Sequence, residues 1–241
     1  MDPNVPLVVP EVNPNDITPS TTGIIANPNC STIQMVVALK PLHDLAKIKR
    51  VVVSTYQASS GKGASGLEEL NAQFEAMGKG HPIPPAKAHK HQLVDNCIPN
   101  DWTMGPDGYS EEETKMVRET KKIMGDDSIA VTVTCVRVPV RTGHSEAINL
   151  EFERPITVEQ AREALSKAPG VILLDDAANG KVPLAHHAAG KDETFVGRIR
   201  KDPTVPNGLN LWVVADNLRK GAATNAVQIA EHLLKLVPAG K

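Results

Sequence analysis

The chain has 241 residues, of which 41% are hydrophobic and only 3% aromatic, and its formal net charge at pH 7 is −2. This length allows one large or two small domains, with a core built mainly from valine, isoleucine, leucine and alanine. The nearly balanced charge gives no general attraction to nucleic acid or to an anionic membrane, so we expect neither as a partner and look for function in local sites.

Three cysteines, Cys30, Cys97 and Cys135, are widely spaced and form no CxxC pair. This spacing argues against a disulfide framework and against structural zinc, and we expect no metal site. Adjacent His186 and His187 would face opposite ways on a strand, so we interpret them as loop residues. There is no long uninterrupted apolar run and no signal-peptide pattern, which predicts a soluble protein of the reducing cytoplasm.

The first half of the chain alternates strand-like and helical patterns. It opens with a short strand and a Pro/Asn-rich loop, an element typical of the middle of a sheet. An apolar run at 24–26 stops at the sequence NPN, and a helix begins at about residue 31. A strand at 48–57, a Gly/Ser loop and an amphipathic helix at 67–78 follow. The stretch at 81–108 has no period, and we interpret it as an ordered excursion or a partner-contacting loop.

The second half begins with a helix at 110–125, which is predicted from a capping-box sequence and a C-terminal glycine. Long alternating strands are predicted at 128–140 and 145–155, with a tight turn between them. A helix at 157–170, three further strands and a closing helix at 220–237 complete the chain. This grouping of elements predicts an α+β fold, a mixed sheet with helices on one face.

Cys30 lies on the boundary between the NPN turn and the helix that follows. At the first turn of a helix, unpaired backbone N–H groups and the helix dipole favour negative charge, so we expect the pKa of this thiol to fall. A lowered pKa would make Cys30 a nucleophile. The alternative is a small buried apolar residue, which is the commoner role of a lone cysteine, and position alone leaves both open.

Five segments, in order along the chain, resemble the signature segments of the aspartate-β-semialdehyde dehydrogenase family: NPNCSTIQ, STYQASSGKG, GYSEEETKMVRETKKI, RVPVRTGHSEAINLEF and LWVVADNLRKGAATNAVQIAE. The resemblance covers about residues 5 to 236 and implies a glyceraldehyde-3-phosphate-dehydrogenase-like C-terminal domain. No GxxGxxG-type loop follows a strand. The resemblance therefore places 1–29 at the tail of a Rossmann-type nucleotide-binding domain, 30–219 in the catalytic and dimerisation domain, and 220–241 in a closing helix that packs back on the nucleotide-binding domain.

The resemblance implies reversible, NADPH-dependent reduction of β-aspartyl phosphate to aspartate semialdehyde. This reaction belongs to the biosynthesis of lysine through diaminopimelate, and of threonine, methionine and isoleucine. By resemblance Cys30 forms a thioester, because a thiolate both attacks a carbonyl and leaves readily. We expect backbone N–H groups at the start of the same helix to hold the oxyanion. His144, in the GHSEA turn, matches the acid/base, a role that suits a group titrating near neutrality.

The resemblance assigns four residues to the substrate: Gln57 orients the acyl group, Glu112 binds the ammonium, Lys115 binds phosphate, and Arg137 grips the α-carboxylate through its planar guanidinium. The Glu-x-x-Lys spacing selects Glu112 from three consecutive glutamates. Each residue also has a plainer interpretation. Gln57 would be a polar strand end, Glu112 and Lys115 a surface ion pair on one helix face, Arg137 an exposed strand residue, and His144 a surface turn residue.

By resemblance NADP(H) lies beside a Gly-rich loop with Ser60, Gly61 and Gly63, since glycine lets the backbone approach a ligand closely. Asn217 matches the residue that contacts the nicotinamide carboxamide, and Gly221 permits a close approach next to it. The nucleotide-binding half of the family is not recognisable in the sequence. The resemblance therefore implies that the 241-residue chain alone binds NADPH weakly, binds phosphate incompletely, and is not certain to turn over.

The family is dimeric, so the resemblance implies a homodimer or a dimer of dimers, with the strands at 128–140 and 145–155 in a two-fold interface. Two alternatives stay open at this point. A non-catalytic dimerisation fragment would keep the sheet but bind no cofactor. An N-acetyl-γ-glutamyl-phosphate reductase-like enzyme is the nearest enzymatic rival, although it lacks the combination of NPNCST and RTGHSEA. A Cys/His hydrolase would explain neither Arg137 nor Asn217.

Overall fold

The computed structural model describes residues 2, 4–18 and 23–236, which build one six-stranded sheet. In chain order the strands are β1 Ile48–Gln57, β2 Ala130–Arg137, β3 His144–Phe152, β4 Val171–Leu173, β5 Thr194–Asp202 and β6 Gly208–Ala215. Across the sheet the order is β2-β1-β3-β6-β5-β4. β1 is parallel to β2 and β4 to β5, whereas β3 is antiparallel to β1 and β6, and β5 to β6. The predicted mixed sheet is confirmed.

The described residues form six α-helices: α1 Cys30–Ala46, α2 Ala64–Gly78, α3 Glu111–Met124, α4 Val158–Lys167, α5 Ala185–Ala188 and α6 Thr224–Leu236. Of these, α1 lies centrally on one face of the sheet with α3 and α4 beside it. Most side chains of α1 are buried, and they share a core with alternate residues of β1 and β3 such as Val53 and Ile148. None of the helices in this part of the chain is long and apolar enough to cross a membrane.

The short helix α5 shows that the loop interpretation of His186 and His187 was wrong. Both histidines lie in this helix and are exposed. The helix forms where Ala188 packs with Phe195 and Val214, on the sheet face opposite α1. Val214 lies on β6, outside the local sequence of the helix, so four residues of local pattern do not reveal this contact.

Local signals placed most element boundaries correctly. In the predicted capping box of α3, Ser110 Oγ accepts a hydrogen bond from the Glu113 N–H at 3.3 Å, and the Glu113 carboxylate accepts one from the Ser110 N–H at 2.7 Å. β2 ends at Arg137 rather than at 140, because Pro139 has no N–H to donate to a neighbouring strand. The closing helix is also interrupted, since a π-helical turn at Arg219–Ala223 precedes α6.

Residues 4–18 pack against α6. Val8 and Ile17 form a small apolar cluster with Ile229. The buried ammonium of Lys220 donates to the Glu11 carboxylate at 2.6 Å, which ties the π-helical turn to the same segment. The segment, the turn and α6 therefore form one packed layer, while the domain boundaries after residues 29 and 219 stay predictions.

Candidate active site

All the predicted catalytic and substrate residues except Lys115 meet where two neighbouring strands end and a third begins. Gln57 and Arg137 close β1 and β2 and are paired across them, and His144 opens β3. All three side chains are buried. They lie on the face that α1 covers, because residues two apart on a strand share a face. Cys30 begins α1 over this edge of the sheet, and Glu112 reaches it from α3.

The first turn of α1 is capped by Asn29. Its side-chain oxygen accepts hydrogen bonds from the N–H groups of Ser31 at 3.0 Å and Thr32 at 3.1 Å. Its side-chain nitrogen donates to the Glu112 carboxylate at 2.8 Å, and its backbone N–H donates to Glu119 at 2.9 Å. The expectation that N–H groups of this turn hold an oxyanion is therefore wrong for Ser31 and Thr32, since Asn29 already occupies both.

The surroundings of Cys30 favour its protonated thiol over the thiolate. Burial of the sulfur, with the Glu112 carboxylate nearby, raises the pKa of Cys30 to about 12, and the Arg137 guanidinium opposes this rise only in part. The expected fall in the pKa of Cys30 was wrong. The helix-start argument covers only the first turn of α1, whereas desolvation and a neighbouring carboxylate come from the tertiary structure.

Glu112 faces the site, and Lys115 faces solvent. Glu112 is buried and accepts hydrogen bonds from the side-chain amides of Asn29 at 2.8 Å and Gln57 at 2.9 Å. Lys115 is exposed one helical turn later, on a cleft that also includes Tyr109. Glu112 is thus paired with two amides that are close to Cys30, which does not fit the plainer interpretation as a surface ion pair.

His144 is wholly buried, and its ring has one free nitrogen. Nδ1 accepts a hydrogen bond from the backbone N–H of Ala58 at 3.0 Å, so the proton of the neutral ring lies on Nε2. Among the described residues, Nε2 has no hydrogen-bond partner. Burial, and to a lesser degree the Arg137 charge, lowers the pKa of His144 well below 6.5. The ring is therefore neutral and offers Nε2–H as a donor.

Arg137 is buried beside His144, and its guanidinium is oriented by two acceptors. Nε donates to the Asp101 carboxylate at 3.0 Å, and Nη1 donates to the Ala58 carbonyl at 2.7 Å. A Cβ at Gly61 would lie 2.8 Å from Arg137 Nη1 and 3.4 Å from His144 Nε2. Only glycine fits at position 61, so the Gly-rich loop closes directly over both side chains.

The sequence matches semialdehyde dehydrogenases over most of its length. Residues 39–220 match the family described as semialdehyde dehydrogenase, dimerisation domain. The chain is 58% identical, over 236 residues, to an aspartate-semialdehyde dehydrogenase of Aquifex aeolicus, with 98% of this chain and 69% of the relative covered. The chain belongs to the aspartate-semialdehyde dehydrogenase family.

Solved structures of the aspartate-semialdehyde dehydrogenase family have the same fold. Aspartate semialdehyde dehydrogenase II of Vibrio cholerae, which has also been solved in complex with ASA, aligns with a TM-score of 0.90 at 47% identity, over 97% of this chain and 69% of that one. An enzyme of Candida albicans solved with NADP aligns at 0.72 and 27% identity, over 97% and 68% of the two chains. These comparisons confirm the family resemblance and the α+β fold class.

Of the residues that family resemblance assigns to the cofactor, Gly221 lies against Cys30, and Ser60 and Asn217 are bonded to each other. Asn217 Oδ1 accepts a hydrogen bond from the Gly143 N–H at 2.9 Å, and the Asn217 amide donates to Ser60 Oγ at 3.0 Å. A Cβ at Gly221 would lie 2.9 Å from the Cβ of Cys30, so only glycine permits this approach. Gly221 thus packs against Cys30, and Asn217 joins Ser60 and Gly143 in one hydrogen-bonded group, while the contact of these residues with a cofactor stays a prediction.

Gly63 lies in open space, where an added Cβ would meet no atom of the described residues within 4 Å. Its φ is +77°, a left-handed value that favours glycine, and it is the residue that precedes α2. Its predicted cofactor contact stays a prediction. As for metals, no group of three or more His, Cys, Asp or Glu side chains within the described ranges could hold an ion.

Sequence reasoning missed a second buried row of polar groups beneath the first. Thr55 and Glu146 lie opposite each other on β1 and β3, with Cys135 beyond Thr55 on β2. Gln34, one helical turn after Cys30, covers this row from α1. Burial raises the pKa of Glu146 well above 4.5, and the nearby Gln34 amide offsets this only weakly. The GHSEA motif contained Glu146, but strand alternation predicts burial and not protonation.

We predict that Glu146→Gln stabilises the protein at pH 8 and changes little at pH 5. The folded protein keeps the Glu146 proton, so its stability falls as pH rises above 4.5, the pKa of an exposed glutamate, toward the raised pKa of the folded state. Glutamine removes this dependence. Thermal unfolding should show a rise in Tm of roughly 2–8 °C at pH 8. Glu151→Gln, on the opposite face of the same strand, is the control. A Tm difference that is equal at both pH values would contradict the prediction.

Proposed function

We propose that this protein catalyses the reversible, NADP-dependent conversion of aspartate semialdehyde and phosphate to β-aspartyl phosphate. The biosynthetic role that we assign is the supply of lysine, threonine, methionine and isoleucine. The observation that carries the proposal is the meeting of Cys30, Gln57, Glu112, Arg137 and His144 at one sheet edge in a chain of this family. The relatives' names and the ASA and NADP complexes support the same substrate and cofactor.

The charges of the site suit a small amino acid. The Glu112 carboxylate is a buried acceptor for an ammonium, and the Arg137 guanidinium is a buried donor for a carboxylate. Gln57 lies between them, with one amide hydrogen donated to Glu112 at 2.9 Å and its oxygen accepting from Thr55 at 3.2 Å. These two contacts fix the plane of the Gln57 amide, so the direction of its second N–H is also fixed. That N–H is suited to donate a hydrogen bond to an acyl oxygen and so to orient it.

Substrate binding activates the nucleophile in this proposal. The Glu112 charge is one cause of the raised pKa of Cys30. An ammonium bound at Glu112 cancels that charge and lowers the pKa of the thiol. Substrate binding therefore makes the Cys30 thiol easier to ionise, while burial, the largest cause of its raised pKa, remains.

In the oxidative direction the Cys30 sulfur attacks the aldehyde carbon and leaves negative charge on oxygen. His144 Nε2–H donates to that oxygen, the role that the capped N–H groups of Ser31 and Thr32 do not fill. Asn217 would hold the nicotinamide end of NADP, which would supply the acceptor for the hydride that leaves the former aldehyde carbon. The resulting thioester is broken by phosphate, which regenerates the thiolate. Lys115 is the residue assigned to the phosphate.

The direct test is an assay with aspartate semialdehyde, NADP and phosphate, followed through NADPH formation. Because the 241-residue chain alone is expected to bind NADPH weakly, the assay uses a complete enzyme in which this chain is joined to the nucleotide-binding half of a relative. We expect NADPH formation that requires phosphate. Omission of phosphate is the matched control, because oxidation without it would indicate a hydrolytic dehydrogenase. No NADPH formation by a folded, dimeric protein would favour the alternative of a non-catalytic dimerisation module. The domain boundaries after residues 29 and 219 and the cytoplasmic location belong to the same proposal.

We further propose a two-fold dimer through the sheet face opposite α1. On this face Tyr56 is partly exposed and packs with Trp212, the ring centroids being 5.3 Å apart. Sedimentation at micromolar concentration should give a dimer, and Tyr56→Asp should shift it toward monomer. Leu45→Asp, which alters an exposed apolar residue at the end of α1, is the control. A monomer in the unmodified protein would contradict the proposal.

A further inference from the structure

The irregular stretch at 81–108 holds Arg137 from three directions. Ile98 and Arg137 exchange two backbone hydrogen bonds, each of 2.9 Å, which continue the edge of β2. The Asp101 carboxylate accepts a hydrogen bond from Arg137 Nε at 3.0 Å. The Trp102 ring lies beneath the guanidinium, with its centroid 4.7 Å from the guanidinium carbon. Residues 98–102 thus hold the backbone of Arg137, pair with its charge and pack against the plane of its guanidinium.

Asp101 is itself fixed on all sides. It is completely buried, and its Oδ1 accepts a hydrogen bond from the Lys90 N–H at 3.0 Å. Its Oδ2 accepts one from His89 Nδ1 at 2.9 Å, and His89 Nε2 contacts Ser59 Oγ at 2.8 Å. Burial works against the charge, but the hydrogen bonds from His89, the Lys90 N–H and Arg137 hold the pKa of Asp101 well below its usual value. Asp101 is therefore a rigid negative charge.

The contacts of Arg137 divide its guanidinium into a held edge and an open edge. Nε and one hydrogen of Nη1 are used by Asp101 and by the Ala58 carbonyl. Guanidinium has five N–H donors, so one hydrogen of Nη1 and both hydrogens of Nη2 are left for a carboxylate. The site that holds His144 lies on this side, since Gly61 touches both Nη1 and the His144 ring.

We propose that Asp101 is a positioning residue, which fixes the Nε edge of Arg137 so that the Nη edge meets the α-carboxylate of the substrate in one orientation. This inference rests on the proposed function, in which Arg137 binds that carboxylate. The stretch at 81–108, which has no periodic pattern in its sequence, then contributes to substrate specificity because it carries Asp101. Without the Asp101 charge, the Arg137 charge is buried with a weaker partner and the side chain is no longer confined to one rotamer.

The first test is the kinetics of Asp101→Asn, which keeps the shape of the side chain and removes its charge. KM for aspartate semialdehyde should rise about 10- to 100-fold, while kcat stays within about threefold, because the reacting groups are untouched. Asp175→Asn is the matched control, since Asp175 is a mostly buried carboxylate paired with Arg162 at 2.7 Å. This control should leave KM unchanged. An unchanged KM in folded Asp101→Asn overturns the proposal.

A double-mutant cycle separates positioning from general structural damage. In an Arg137→Lys background, Asp101→Asn should add less than about twofold to KM, because the group that it positions is gone. Additive effects of the two changes would show that Asp101 acts elsewhere and would overturn the proposal. An unchanged KM in Arg137→Lys alone would instead reject the role of Arg137 in the proposed function.

Hydrogen exchange in the unmodified protein tests the contact without any assay of turnover. The Nε–H signal of Arg137, assigned by its loss in Arg137→Lys, should exchange slowly with water, and Asp101→Asn should speed its exchange at least about tenfold. Rapid exchange in the unmodified protein overturns the proposal even if Asp101→Asn fails to fold. Slow exchange in a protein without turnover would reject the proposed function and keep the Asp101–Arg137 contact.

Discussion

Replacing Cys30 with serine should lower turnover by on the order of 10⁴-fold or more while leaving the fold unchanged. A hydroxyl has a far higher pKa than a thiol, and an alkoxide is a much poorer leaving group than a thiolate, so both formation and cleavage of the acyl intermediate fail. Serine has nearly the size of cysteine and is tolerated in the first turn of a helix. A turnover assay measures the expected loss of activity, and thermal unfolding of the same preparation shows whether the fold is unchanged.

Cys97→Ser is the matched control for this substitution. Cys97 is exposed and lies in the irregular stretch at 81–108, so the same chemical change there should leave kcat and KM within about twofold. Near-normal turnover in Cys30→Ser would show that another group is the nucleophile. Equal losses in both variants would point to a general effect of removing thiols rather than to the position of Cys30 at the start of α1.

Replacing His144 with asparagine should lower kcat by roughly 10²–10⁴-fold. The imidazole Nε2–H is the free donor that faces the site, and the shorter asparagine side chain places its amide nearer the backbone. The limb of the pH–rate profile that belongs to the His144 ring should disappear. Because the pKa of His144 is lowered well below 6.5, this limb is expected on the acid side, where protonation of the buried ring costs stability as well as activity.

His187→Asn tests whether any histidine loss would produce this result. His187 is exposed in α5, on the opposite face of the sheet, and its replacement should leave kcat and the pH–rate profile unchanged. If kcat and the acid limb survive in His144→Asn, the donor role is wrong. The oxyanion must then be held by another group, for which the second amide hydrogen of Gln57 is a candidate.

The parts of the fold that the sequence predicted well are those with local causes. The capping boxes of α3 and α4 each involve residues three apart, Ser110 with Glu113 and Thr157 with Gln160, so the chain itself records where each helix begins. The end of β2 is set by a proline two residues later. Helix α5 has no such cause, because its four residues are ordered by apolar side chains far along the chain.

The candidate site divides in the same way. Family resemblance named Cys30 and Arg137, but the pKa of Cys30 depends on desolvation and on Glu112, which is distant in sequence, so the local argument gave the wrong direction. Asp101 was missed because the stretch that carries it has no period of its own and takes its order from Arg137 and its neighbours. Glu146 was missed because alternation along a strand records which face a residue occupies, and not what partners it finds there.

Asn29 limits which residues the chain can use at the start of α1. As helix caps, asparagine, aspartate and serine are nearly interchangeable, since each offers an oxygen to the first free N–H groups. Here the same side chain also donates from its nitrogen to Glu112 at 2.8 Å. Aspartate would set two carboxylates against each other, and serine is too short to span both partners. Several residues could therefore cap α1, but only asparagine can also donate to Glu112. A substitution that is conservative for helix capping would remove the hydrogen bond between the first turn of α1, which carries Cys30, and the carboxylate that raises the pKa of Cys30.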